Sequence, residues 1–182
     1  EQRPALYAPF TGAKMVQYVR IMQEVIQEWL DGLGAAGEMD ISGEIGRLVQ
    51  RVAGYALMGD DFQQKAGQEF WALYAELGKS IDLATPPDWP LPKNIRRDRA
   101  KNRMRAILAP IIAERRQNPD RYDDFLQDFV NARLKNGELM DDESISSLIR
   151  GLMFAGHEAT AGQAAWTVIE LLRHPDAQAR VQ

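Results

Sequence analysis

The chain has 182 residues, 45% hydrophobic and 26% charged, enough for one globular domain with a core of its own. Its 22 basic and 26 acidic residues leave a formal net charge of −4, which excludes a global basic field for nucleic acid or anionic membrane. With no cysteine, the chain itself supplies no disulfide, no cysteine-ligated zinc and no thiolate.

The chain opens on Glu1 rather than Met, and Pro4 and Pro9 interrupt any helix before Thr11. The start lacks the sections of a signal peptide, and no apolar run reaches roughly 18 residues, so a soluble chain is expected. From about Ala13 to Leu33, Met15, Tyr18, Val19, Met22, Val25, Ile26, Trp29 and Leu30 recur at the helical period. Gly32, Gly34 and Gly37 end that helix. Asp40 or Ser42 caps the next, whose buried face carries Ile45, Leu48, Val49, Val52 and Tyr55 before Gly59 stops it. A third helix fits Gln63 to about Lys79.

Four prolines and Trp89 between Ala84 and Pro92 make a stiff loop. It is either a plain connector or an entrance loop displaying Trp89 and Leu91 to an apolar ligand. Lys93 to Gln117 opens with seven basic residues from Lys93 to Arg105, interrupted by Asp98 and without interleaved aromatics. A solvated helix face explains that run better than a nucleic-acid surface. Pro110 should kink or divide this helix. A short helix begins at Asp123 and holds Phe125, Leu126, Phe129, Val130 and Leu134 inside. Asn136-Gly137 then turns the chain.

The last element organises the rest. Asp141 or Asp142 can cap it and His174-Pro175 stops it, leaving a helix of roughly 30 residues, about 45 Å long. From Leu152 onward apolar or small residues occur all round, so burial on every side is expected. Into that stretch the sequence sets Gly151, Gly156 and Gly162, with His157, Glu158 and Thr160. Three readings of Ala155-Gly156-His157-Glu158-Ala159-Thr160 compete. Zinc hydrolysis needs a second imidazole one turn on, where Ala161 stands. A core helix would bond its polar groups to its neighbours. In the third reading, small residues let a flat cofactor or gas molecule approach, an acid and a hydroxyl move protons, and a local widening of the helix frees a carbonyl. No strand pattern appears, so the fold class is all-α.

The order of those residues resembles the distal-helix signature of the cytochrome P450 family of haem-thiolate monooxygenases. Phe154-Ala155-Gly156-His157-Glu158 and Trp166 to Pro175 extend the match, as do Ala8-Pro9-Phe10-Thr11 and Met39-Asp40-Ile41-Ser42 upstream. Ala165-Trp166-Thr167 and Leu91-Pro92 are most similar to bacterial relatives of sterol 14α-demethylases. The resemblance implies the helical centre of that fold, from the end of its third helix through the distal helix into the next.

It further implies an enzyme inserting one atom of dioxygen into an apolar, sterol-like or lipid-like substrate, with haem b as cofactor and a ferredoxin or reductase as electron donor. Arg3 matches the residue that pairs with a haem propionate. Ala155 and Gly156 match the residues against the distal haem face, and Glu158 the acid that organises water for proton delivery. Ala159 stands where the family normally has a threonine, and Thr160 follows it, about 100° further round the helix. The proline loop matches the substrate-access loop. The axial cysteine is expected outside this chain, and no metal ligand lies within it. Residues 1–182 are then one incomplete domain, lacking the N-terminal region and the C-terminal cysteine-ligand region, and processing or truncation accounts for its ends. Membrane anchoring outside this segment is compatible with the resemblance. The alternative is a non-catalytic helical ligand-binding or interaction protein descended from the family.

Overall fold

Each apolar stripe on a helix needs a neighbour to cover it, and this chain covers most, though not all, of its stripes with other helices. The computed structural model describes residues 10–80, 85–86 and 88–181. In order these form α1 (Gly12–Asp31), α2 (Ile41–Phe62), a π-helical turn (Gln63–Gly67), α3 (Gln68–Lys79), α4 (Pro92–Gln117), α5 (Phe125–Asn131), α6 (Asp142–Arg173) and α7 (Pro175–Val181). Among the described residues, extended pairing is confined to one antiparallel bridge between Arg133 and Leu139, closed by Gly137 at φ +84°. The architecture is all-α, as the periodicity predicts.

The main core lies where α2, α3, α4, α5 and α6 meet. Met58, Phe62, Phe70, Met104, Leu108, Ile112, Leu126, Phe129, Ile145 and Met153 are essentially solvent-free there. Each such side chain contributes about 1.5–3 kcal/mol by leaving water. A smaller cluster of Val25, Ile45, Leu48 and Ala165 joins α1, α2 and α6. The run of basic residues on α4 faces outward and meets acids from neighbouring helices: Arg103 pairs with Glu69 at 2.6 Å, Arg96 with Glu76 at 3.4 Å and Arg105 with Glu143.

Gly59 breaks α2 with φ +77° and ψ 168°, a conformation that glycine adopts without a Cβ penalty. The reason for a break here is Arg115. Its guanidinium is buried, holds Asp124 through bonds of 2.5 and 2.8 Å, and donates to the Met58 carbonyl at 3.0 Å. A Cβ on Gly59 would stand 2.5 Å from the Asp124 carboxylate. Helix continues beyond the break, through the π-turn into α3. There Gln63 packs its amide into the space left by Gly54 and Gly67.

Three expectations need correction. Pro110 does not divide α4, which runs unbroken for 26 residues; the proline ring lies on the exposed side, away from Ile107, Leu108 and Ile111. The short helix starts at Phe125, because the Asp124 side chain accepts the Gln127 N–H at 2.9 Å and so caps it, and Leu134 lies past its end. The long helix is not buried on every side: α1 to α5 cover one face, and Ala155, Gly156, Glu158, Ala159, Thr160 and Gly162 are exposed. The same is true of α1, where Tyr18 and Val25 are buried but Met15, Val19, Met22, Ile26 and Leu30 are exposed.

Candidate functional site

α6 spans 32 residues, about 48 Å, and its ends are well made. Asp141 accepts the Ser144 N–H at 2.9 Å and its hydroxyl at 2.7 Å. Those bonds hold the Asp141 carboxyl below its usual range. Asp142 and Glu143 occupy the first turn and Arg173 the last, each opposing the sign of the helix dipole at its end.

Midway along, the helix divides into two faces. Met153 and His157, one turn apart, are buried against α2 and α3. Ala155, Gly156, Glu158 and Ala159 form an open surface with no side chain beyond alanine except the acid. A Cβ placed on Gly151, Gly156 or Gly162 would meet nothing within 4 Å. The helix therefore presents a smooth strip against which a flat apolar group could lie. No π-helical widening occurs within α6; the chain's π-turn is at Gln63–Gly67 instead.

Beside this strip is an apolar cavity of about 180 Å³, lined by Met22 of α1, Val49 and Val52 of α2, and Leu152, Gly156 and Thr160 of α6. Thr160 follows Glu158 by two residues, roughly 200° around the helix, so the acid and the hydroxyl are not brought together. Thr160 lines the cavity, and Ala159 lies between the two in sequence without a polar atom. Glu158 is not the buried carboxylate that the sequence predicts: its side chain is 73% exposed, and its oxygen lies 3.1 Å from His157 Nδ1.

His157 is the residue that sequence reasoning used in a motif without giving it a role. Its ring is 8% exposed, with Nε2 3.3 Å from the Gly46 carbonyl of α2. Tyr74 of α3 meets it edge-on at 5.5 Å between centroids, and Trp71 lies at 6.4 Å. The Tyr74 hydroxyl donates to the Met153 carbonyl at 3.3 Å. Burial, with the charge of Glu158 adding to it, pushes that phenol up to about 12, so it stays protonated at neutral pH. The available signal for these partners was the apolar stripe of the third helix, which reads as packing alone.

Trp89 and Leu91 sit just before α4, with Leu91 at its N-cap. Trp89 is 57% exposed, and its carbonyl accepts from Asn94 Nδ2 at 2.7 Å. The same Asn94 side chain lies 3.4 Å from the Pro86 carbonyl, and the Leu91 N–H donates to the Trp89 carbonyl at 2.7 Å. Arg3 lies outside the described residues, as do Ala8, Pro9 and part of the proline loop. Among the described residues no group of three His, Cys, Asp or Glu is placed to hold a metal ion. No described helix is long and apolar enough to cross a membrane.

The chain is similar to known proteins along nearly its whole length. Lanosterol 14-alpha demethylase of Homo sapiens is 29% identical over 176 residues, which is 95% of this chain and 35% of that protein. Sterol 14alpha-demethylase of Mycobacterium tuberculosis (strain CDC 1551 / Oshkosh) is 32% identical over 180 residues, 96% of this chain and 40% of that protein. Among solved structures, retinoic acid bound cyanobacterial CYP120A1 superposes with a TM-score of 0.85 at 25% identity, covering 99% of this chain and 41% of that one. The chain thus spans well under half the length of these relatives. The family model for Cytochrome P450 matches residues 1–182, and the chain belongs to the cytochrome P450 family.

Proposed function

We propose that this chain forms the distal wall and proton-delivery side of a haem-dependent monooxygenase acting on an apolar, sterol-like or lipid-like substrate in the cytoplasm. The observation that carries the reading is the exposed strip of Ala155, Gly156 and Ala159 running beside Glu158 on an otherwise well-packed helix. Family membership along all 182 residues supports it, as do relatives named sterol demethylases.

The residues present fit haem b on one side only. The strip is free of bulk and open at Gly156, as a flat macrocycle requires. The absence of cysteine means that the axial thiolate comes from outside these 182 residues. Bound there, haem supplies activation of dioxygen and insertion of one oxygen atom into the substrate, with electrons from a ferredoxin or reductase. Ala155 and Gly156 keep the helix surface low enough for close approach. Glu158, exposed beside them, holds and passes protons through ordered water. Arg3 is assigned to a haem propionate, by a charge-assisted bond. Trp89 and Leu91 are assigned to the substrate-access loop. Thr160, turned away from Glu158, is assigned to the cavity wall, and the missing hydroxyl at Ala159 is replaced by an ordered water or by a hydroxyl of the substrate.

The test is Ala159→Thr in the full-length gene product. The added hydroxyl should change the fraction of electrons recovered in product rather than released as hydrogen peroxide. Unchanged coupling across several substrates would contradict this account of proton delivery, and a full-length product that binds no haem would favour a non-catalytic binding protein.

A further inference from the structure

The Gly46 carbonyl and the Glu158 carboxylate lie on opposite sides of one buried imidazole, His157. A carbonyl oxygen only accepts a hydrogen bond, and so does an ionised carboxylate. The neutral imidazole carries a single N–H, so it can satisfy one of these two neighbours and must turn a lone pair toward the other. Both contacts are hydrogen bonds only if one further proton is present, on Nδ1 or on the carboxyl group itself. In the first case both ring nitrogens donate; in the second, Nε2 donates to Gly46 and Nδ1 accepts from the acid.

We propose that His157 and Glu158 share one proton, and that His157 is the positioning residue that ties the Glu158 carboxylate to the backbone of α2. This rests on the reading of Glu158 as the proton-handling acid and deepens it. The imidazole is bounded by groups from three helices and borders the apolar cavity on its remaining side. From α2 comes the Gly46 carbonyl; from α3 come the Trp71 and Tyr74 rings, of which Tyr74 is titratable and neutral at pH 7; from α6 comes Glu158. With the ring fixed at Nε2, the direction of Nδ1 is fixed, and with it the place where the carboxylate oxygen is held. A side chain otherwise 73% exposed acquires a defined position and a proton in contact with it. That combination matters at a site where Ala159 supplies no hydroxyl.

The experiment is nitrogen-15 NMR of the imidazole in the full-length gene product, in the reduced, carbon monoxide-bound form, with the His157 signals assigned by their loss in His157→Phe. At pH 7 the wild type should show Nε2 protonated and Nδ1 either protonated or accepting a strong hydrogen bond. Glu158→Gln, whose amide N–H can donate to Nδ1, should give the plain neutral Nε2–H tautomer. A wild-type ring carrying hydrogen on Nδ1 alone, with a free lone pair at Nε2, overturns the proposal. His157→Phe keeps an aromatic ring against Trp71 and Tyr74 but loses both bonds. It should lower coupling to product by about tenfold, the weight of one charge-assisted hydrogen bond, and flatten its pH dependence. Wild-type coupling with an unaltered pH profile in that variant also overturns it. If Glu158→Gln itself leaves coupling unchanged, it is the underlying reading of Glu158 that fails.

Discussion

Among the described residues Arg115 is the largest side chain removed from solvent, and it ties α4 to the break in α2 and to the start of α5. Its guanidinium holds Asp124, donates to Met58 and lies over the Tyr122 ring at 4.3 Å from the centroid. Breaking a buried pair by removing one partner strands a charge, so Asp124→Ala should cost about 3–5 kcal/mol in denaturant unfolding. Gly59→Ala should destabilise by at least about 1–2 kcal/mol, because it adds a Cβ at positive φ and crowds the same carboxylate. A Gly59→Ala variant as stable as wild type would mean the break in α2 is not imposed by this contact. The sequence marks Gly59 as a helix stop but gives no hint of Arg115, since the latter sits 56 positions later, within what reads as an ordinary helix. The same limit applies to His157, whose partners at Gly46 and Tyr74 are far away in the chain. Glu158, by contrast, stands out from sequence order alone, although its exposure does not.

The elements were the most legible level, because period and capping are local properties. The ends of α6 follow directly from Asp141 and from His174-Pro175, and α1 occupies its predicted stretch, whereas α2 runs past Gly59 to Phe62 and α3 begins at Gln68 rather than Gln63. What escaped were features set by tertiary surroundings: the π-turn at Gln63–Gly67, which depends on Gly54 across the break, and the continuity of α4 through Pro110. The cap on α6 gives a test at this scale. Asp141→Ala should cost about 1 kcal/mol at pH 7. Bonds from Ser144 hold the folded-state carboxyl below its ordinary value, so its stabilisation is present above that value and lost as pH falls through the folded one. The difference between variant and wild type, followed by urea unfolding, should therefore shrink in acid. A gap that is constant down to pH 2 would exclude the carboxylate as the cap.

At the scale of the whole molecule, two apolar surfaces stand open together. One is the stripe of Met15, Val19, Met22, Ile26 and Leu30 on α1, and the other is the small-residue strip of α6. Period alone labels both as faces to be buried, yet it cannot say which groups bury them, and the described helices cover neither. On the function proposed above, the glycine and alanines of the α6 strip are clearance for haem and dioxygen, and the iron ligand comes from outside these 182 residues, which hold no cysteine. The most direct test of that claim is the reduced carbon monoxide difference spectrum of the full-length gene product beside that of residues 1–182 alone. The account predicts a thiolate-type band from the full-length product and none from the 182-residue chain. A full-length product without that band, or a 182-residue chain that gives one, would contradict it.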